Sequence, residues 1–302
     1  MASDTPDGHF RMRIKFVPDA ICLFAAHAPT GHIPPHTAYY LSELTRCGLT
    51  VHLALSGCEE IPADTLDFCE NTTITPWTRP NLGHDFGAWK DLILWGCAEQ
   101  ASRILLANDS VFGPFSSLSK LFARMEQKEA EVWGIVESLD VLPHLQSWFI
   151  CFEHHSFHAP AIQRVFLQDF TPMTREELIW HGELGLAVAC QTENLQTKAV
   201  WSDRQSILSR SIKKTNAMHL RWRQLLRTEA VPFIKTELLR DNISRLASVR
   251  HWKDALPEQS VFQTSWIEEY LKQNPPRPNR PHINLKGRLF YNLVEQMTGR
   301  TT

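Results

Sequence analysis

The sequence lacks several signatures that would settle its class at once. No apolar run approaches the ~18 residues that a bilayer-spanning helix needs. The segment Met1 to Gly8 is polar and acidic, with no basic stretch leading into an apolar one, so no secretory signal is expected. The 7 cysteines (Cys22, Cys47, Cys58, Cys69, Cys97, Cys151 and Cys190) are scattered and form no Cys-x-x-Cys pair. A disulfide framework or a structural zinc site needs tighter spacing, and the expectation is reduced, mostly buried thiols in a cytoplasmic protein.

Catalytic fingerprints are missing as well. The first strand-to-helix loop carries no Gly-x-Gly-x-x-Gly, which argues against a Rossmann dehydrogenase, and no Gly-x-Ser-x-Gly supports a serine hydrolase. Lys90 follows a glycine-bearing loop, but Trp89 precedes it and Asp91 follows it, so no Walker-type ATPase is supported. Nucleic-acid binding would want basic residues interleaved with aromatics on one face. Trp222 and Trp252 alone do not make that case, and no nucleic-acid partner is expected.

The 302 residues are 43% hydrophobic and 21% charged, enough for one large α/β domain or one domain with a helical appendage. The net charge of −2 hides an asymmetry: residues 204–302 carry 18 Lys and Arg against 8 Asp and Glu. A basic end on an acidic body points to an anionic partner such as a membrane surface, nucleic acid or a pyrophosphate, or to helix faces that are merely solvated.

Strand-like and helix-like segments alternate through the first half. Ala20 to Ala25 is an apolar run of buried-strand length, His36 to Arg46 is amphipathic, and Thr50 to Leu55 reads as a second strand, making a βαβ unit with parallel strands. Further strands are expected at Thr72 to Thr75, Arg103 to Ala107, Val132 to Val136 and Ser147 to Phe152, with helices over Asp85 to Glu99 and Ser116 to Lys128. Thr174 and Glu177 form a capping box that starts another helix. From about Thr215 the pattern is mainly helical, Pro275 to Pro281 is a stiff linker, and Ile283 to Met297 is basic and amphipathic. Such alternation predicts a mostly parallel sheet flanked by helices, with ligands bound outside the carboxyl ends of the strands.

Five places there carry candidate chemistry. His27, in the loop after the first strand, either lines a nucleotide or sits in an ordinary loop. Asn81, Gly83, Asp85 and Lys90 surround a helix start, where glycines permit close approach and free N–H groups attract phosphate, while Asp85 alternatively caps the helix. Asn108, Asp109 and Ser110 end an apolar strand. There Asp109 either holds a divalent cation bridging a diphosphate or accepts local turn hydrogen bonds. Glu183 falls at helical spacing from Ile179, Trp180, Leu186 and Ala187, so burial would raise its pKa toward that of a useful base unless an arginine pairs with it. His144, Gln146 and Ser147 lead into an aromatic strand, an arrangement suited to sugar rings and equally to a plain strand entry.

Taken together, Asn81-x-Gly83-x-Asp85-Phe86-Gly87-Ala88-Trp89-Lys90, Asn108-Asp109-Ser110-x-Phe112-Gly113-Pro114, Trp133-Gly134-Ile135 and His144-Leu145-Gln146-Ser147 resemble the rhamnan synthesis F family. Glu183 and the run from His219 and Trp222 through Pro232, Lys235 and Arg240 to Asn242 fit the same pattern, over roughly residues 20–255.

The resemblance implies a GT-A-like, Rossmann-like glycosyltransferase with a mainly helical carboxyl-terminal extension. It would move a sugar such as rhamnose from a nucleotide-sugar donor to a cell-surface polysaccharide or lipid-linked glycan, with inversion. By this resemblance His27, Asn81, Gly83, Asp85, Lys90, Asn108 and Ser110 bind the donor. Asp109 holds Mn²⁺ or Mg²⁺, and Glu183 activates the acceptor. His144, Gln146, Ser147, Trp222 and Lys235 meet the acceptor, and the basic carboxyl-terminal third faces a lipid pyrophosphate or the inner membrane leaflet. Related enzymes carry Asp-x-Asp where this chain has Asn108-Asp109-Ser110, so the second acidic metal ligand is lost, which favours the alternative of a non-catalytic glycan-binding or scaffolding module. The expected division is 1–214 for nucleotide-sugar binding, 215–274 for a helical part packed on it, and 275–302 for linker and tail.

Overall fold

The computed structural model describes residues 19–202 and 216–278, together with 288, 289, 291–293 and 295. The chain opens with β1 (Ala20–His27), α1 (Pro35–Arg46), β2 (Thr50–Ser56), α2 (Ala63–Thr72), β3 (Ile74–Arg79), α3 (His84–Leu94) and β4 (Arg103–Asn108). There follow β5 (Val111–Phe112), α4 (Leu118–Glu126), β6 (Val132–Ser138), β7 (His144–Leu145), β8 (Phe149–Glu153) and the short helices α5 (His154–Phe157) and α6 (Pro160–Phe166). Next come α7 (Arg175–Leu178), a π-helical turn over Ile179–Glu183, α8 (Leu184–Thr192), β9 (Thr197–Ser202) and β10 (Ile234–Lys235), with short helices around and after the last strand.

The expected α/β class is what the chain adopts: a mostly parallel mixed sheet with helices on both faces. Strand order is β3-β2-β1-β4-β8-β6-β7, with β9 beside β6. Strands β3, β2, β1 and β4 run parallel, β8 joins β4 antiparallel, and β6 joins β8 antiparallel. β1 is apolar from Ala20 to Ala26 because it is covered on both faces, and those residues alternate between two cores. Phe24 and Cys22 pack into one with Leu53, Leu105 and Phe149, whereas Leu23 and Ala25 pack into the other with Trp89, Leu106 and Phe152. A third cluster, built on Phe112, Phe115, Trp222, Trp252 and Phe262, joins the carboxyl-terminal helices to β5.

The order of the parallel strands fixes where a ligand would bind. From β1 the chain moves through α1 to β2 and β3 on one side, and α3 then carries it back to β4 on the other side of β1. The crevice between the carboxyl ends of β1 and β4 is therefore the topological switch point of the sheet.

Several boundaries differ from the sequence reading. The strand expected at Thr72 to Thr75 starts at Ile74 and runs to Arg79, because α2, absent from that reading, takes Ala63–Thr72. The helix expected to reach Glu99 stops at Leu94, and Gly96 follows at φ +81°, the left-handed conformation that ends many helices. The capping box at Thr174 is present, its hydroxyl accepting from Glu177 N–H. The linker expected from Pro275 is tied down at Arg277, whose N–H and guanidinium donate to Asp241 at 3.0 and 2.6 Å. The tail proposed over Ile283 to Met297 and the boundary at 214 lie mostly outside the described residues. Among the described residues no helix is long and apolar enough to cross a membrane.

Candidate functional site

At the switch point β1 and β4 end against each other. Asp109, one residue past β4, donates its N–H to Ala25 O at 3.2 Å, and its Oδ2 accepts from His27 N–H at 2.9 Å. Asn108, 2% exposed, donates from Nδ2 to Asp85 Oδ2 at 2.6 Å, while its Oδ1 accepts from Ser110 N–H and Oγ–H. Asp85 stands in the first turn of α3, whose N-cap is Gly83 with no side-chain cap, so Asp85 does not cap the helix and its carboxylate accepts from Asn108 instead. The turn reading of Asp109 holds in part, since its carboxylate accepts a backbone bond, but that bond crosses to the neighbouring strand.

β10 completes this edge. It pairs antiparallel with β5, setting Lys235 opposite Val111. The Lys235 ammonium donates to Ser110 Oγ at 3.1 Å and lies 5.1 Å from the centre of the Trp148 ring. Trp148 in turn donates from its indole N–H to Gln146 Oε1, and Gln146 donates to Asn216 Oδ1.

The Glu183 carboxylate is the hinge of a second group. Its Oε2 accepts from both Ser147 N–H and Ser147 Oγ–H at 2.6 Å, and His144 Nε2 stands 3.2 Å from Oε1. His144 Nδ1 donates to Leu142 O at 2.8 Å. Both imidazole nitrogens thus face acceptors, a geometry that only the doubly protonated ring satisfies.

The charges differ from the sequence-based expectation. Burial pushes the Glu183 carboxyl up, but the His144 bond and charge and the two Ser147 donors outweigh it and hold the carboxyl below the ordinary glutamate value. The expected rise, and the expected arginine partner, are both replaced by this pairing with histidine. A rise occurs instead at Asp109, pushed up to about 7 by burial first and by the Asp85 charge second, with the His27 N–H and Arg240 opposing. Lys235 is pushed down to about 8 by burial, against the pull of Glu183, Asp85 and Glu237. The His144 imidazole, disfavoured by burial, is raised on balance by Glu183.

Periodicity misplaced two of the expected neighbours of Glu183, Ile179 and Trp180, for an identifiable reason. The π-helical turn inserts an extra residue per turn, which rotates the register. Ile179 and Trp180 are therefore 42% and 58% exposed, while Leu186 on the Glu183 side is buried. Gly182 packs in that turn against the Phe86 ring, 2.7 Å from where a Cβ would stand.

The loop from Asn81 to Lys90 proves mostly architectural. A Cβ on Gly83 would lie 2.7 Å from the Phe170 Cβ, and one on Gly87 would lie 2.2 Å from Leu82 O. The close approaches at these glycines are made by the protein itself. Trp89 donates to the backbone carbonyls of Leu23 and Ala107, locking α3 to β1 and β4. Lys90 donates to Gln168 O at 2.7 Å and so is engaged as a tether. Gly87→Ala is expected to destabilise by about 1–3 kcal/mol through overpacking against backbone, visible as a lowered thermal midpoint with nucleotide affinity per folded molecule unchanged.

Asn81 remains exposed, its Cβ 3.6 Å from the Cβ position of Gly57 just after β2, and His27, the last residue of β1, is exposed as well. Trp222, expected to meet the acceptor, is 1% exposed in the third core cluster and presents no face to a ligand. Three contributors were not among the donor-site candidates from sequence, although Arg240 lies in the run that resembles the family pattern. Arg79, its side chain 3% exposed, binds Asp91, Ser56 Oγ and Leu82 O and so shapes the loop after β3. Arg240 and Tyr270 act electrostatically on or beside Asp109, and Tyr270 accepts a hydrogen bond from Arg240. An arginine ending a short strand before a glycine loop was the only available signal for the first. The other two come from parts of the chain far from β4.

Among the described residues no group of three or more His, Cys, Asp or Glu side chains could hold a metal ion unaided. The two adjacent carboxylates Asp85 and Asp109 do suit an ion completed by a ligand's phosphates, since Mg²⁺ is often bound by one or two carboxylates with substrate oxygens. Burial first and the Asp85 charge second push the Asp109 carboxyl up, against the His27 N–H and Arg240.

Comparison with known proteins gives the virulence protein VirA of Vibrio anguillarum, 27% identical over 194 residues, covering 54% of this chain and 62% of that protein. The chain thus spans less than two thirds of the curated relatives it matches. Among solved structures, a cytidylyltransferase from Leptospira borgpetersenii superposes with a TM-score of 0.38 at 11% identity, covering 81% of this chain and 99% of that one. Mouse xyloside xylosyltransferase 1 superposes with a TM-score of 0.34 at 9% identity, covering 64% and 90%. A family model matches more than half of the chain, and by that match over residues 66–271 the chain belongs to the rhamnan synthesis protein F family.

Proposed function

We propose that the chain is a glycosyltransferase that moves a sugar from a nucleotide-sugar donor to a glycan or lipid-linked glycan acceptor. The observation that carries this reading is the Asp109, Asn108 and Asp85 constellation at the β1/β4 switch point, in a family named for polysaccharide synthesis. His27 and Asn81 line the donor side. A divalent cation would be held by Asp109 and Asp85, where it would supply positive charge to a leaving diphosphate. The helical residues after 215 and the basic carboxyl-terminal third, Lys235 excepted, are our candidates for the acceptor side and for contact with a lipid pyrophosphate or the inner face of a membrane.

In the step we propose, an acceptor hydroxyl oxygen bonds to the donor's anomeric carbon with inversion. The bond from that carbon to the diphosphate oxygen breaks, and its electron pair leaves on the diphosphate. The hydroxyl proton passes to Glu183. Because His144 and Ser147 hold Glu183 ionised, it accepts the proton late, once the new bond has made the hydroxyl acidic. The non-catalytic alternative rested on the missing second carboxylate, and Asp85, brought to Asn108 from α3, supplies one.

Calorimetric titration with dTDP-rhamnose, dTDP and UDP, each with and without Mn²⁺, tests the reading. Metal-enhanced binding that is lost in Asp109→Ala is expected. Absence of binding to every nucleotide, with and without metal, would remove the donor site from this edge.

A further inference from the structure

We propose that Lys235, together with Ser110, forms the anion subsite that takes the donor's diphosphate, and that Lys90 does not. This deepens the donor-site reading and rests on it. Lys90 was the natural choice from sequence, yet its ammonium is tied to the Gln168 carbonyl, just after α6, whereas that of Lys235 is tied to Ser110 beside Asp109. Lys235 reaches the same edge from a different direction, through the short β5–β10 ladder and the Thr236 N–H bond to Ser110 O at 3.0 Å.

Its immediate partners are neutral: a hydroxyl at 3.1 Å and the face of an indole at 5.1 Å. Among the described residues no carboxylate lies within ion-pair distance of it. The charged groups that act on it do so from farther away: Glu183 in the π-helical turn, Asp85 at the start of α3, and Glu237 just after β10, with Arg175 in α7 opposing. A half-buried cation without a paired anion is costly, and a bound anion relieves that cost. Two neighbours orient it: Ser110 Oγ, which accepts from the ammonium while its own hydrogen goes to Asn108 Oδ1, and the Trp148 ring, a wall that excludes water from one side.

The probe is inorganic pyrophosphate, titrated into the full chain by calorimetry at pH 7 and pH 9.5. Wild type and Lys90→Met are expected to bind at pH 7 alike. Lys235→Met is expected to lose about 10- to 100-fold in affinity, the range for removing a charge-assisted bond. Wild-type affinity should fall between pH 7 and pH 9.5 as Lys235, at about 8, loses its proton. Lys235→Arg stays charged throughout and should show a flatter profile than wild type.

Equal pyrophosphate affinity in wild type and Lys235→Met, equal loss in Lys90→Met, or no pyrophosphate binding by wild type would each overturn the subsite. If Lys235→Met fails to fold, the pH profiles of wild type and Lys235→Arg decide alone, and identical profiles would overturn it. The underlying reading fails separately: pyrophosphate binding that needs Lys235, in a protein that binds no nucleotide, would keep an anion site and discard the sugar-nucleotide donor. Nucleotide binding indifferent to Lys235→Met would do the reverse.

Discussion

Asp109→Asn is expected to melt above the wild-type protein at pH 8 while losing metal-enhanced nucleotide binding. The direction follows from linkage. Asp109 is pushed up to about 7 in the folded chain, by burial and by Asp85, against about 3.9 for an ordinary aspartate. For an acid raised on folding, the folded state is penalised as pH rises past the ordinary value, and the penalty is complete above the raised one. Discounting for the partial exposure of the site, removing the charge should recover about 2 kcal/mol, or roughly 4–8 °C in a chain of this size. Near pH 4 both forms are largely uncharged and the difference should vanish. Thermal melts of both proteins from pH 4 to pH 9 check this, repeated with Mn²⁺. The ion should raise the wild-type midpoint at pH 8 and leave the Asn variant unmoved. A variant less stable than wild type at pH 8 would mean that the His27 N–H bond outweighs the repulsion. Stability given up at a site that needs its charge is the usual mark of function.

That site was half legible in the sequence. An apolar run from Arg103 delivering Asn108, Asp109 and Ser110 to a strand end is a local pattern, and the sheet places those residues as the pattern demands. The parallel order of β1, β2 and β3 followed from the same alternation of apolar and amphipathic runs. Residues joined across the sheet were not legible. No spacing rule links Asp85 to Asn108 or Ser110 to Lys235, which are separated by 23 and 125 positions. Glycines were misread because a glycine that admits a phosphate and one that admits Phe170 or Leu82 O look the same in one dimension. Glu183 was found by its 3.6-residue neighbours, yet the π-helical turn that gives it His144 and Ser147 as partners breaks that period.

Those partners set the second large effect. Glu183→Gln is expected to lower kcat by about 100-fold or more, the scale of a general base, and to lower stability in a way that depends on pH. The ordinary values are about 4.3 for glutamate and about 6.5 for histidine. Glu183 is held low, so its contribution is complete above the first value and is lost as pH falls through its folded pKa. His144 is raised, so its contribution is complete below the second and is lost as pH rises through its folded pKa. The pair therefore stabilises most between roughly pH 4.3 and 6.5. Removing one member of a buried pair costs about 3–5 kcal/mol, reduced here to about 2 because the Glu183 side chain is 18% exposed. Melts at pH 5.5 should show that loss, and melts at pH 9 should show less, because the His144 contribution is lost as pH rises through its raised folded pKa. The kcat loss should persist at both. His144→Ala separates the roles: without the imidazolium the Glu183 carboxyl rises, so the acid limb of the kcat profile should move to higher pH with activity retained above it. If Glu183 served only to hold the His144–Ser147 segment, the two variants would lose kcat equally, and in step with their loss of stability at each pH.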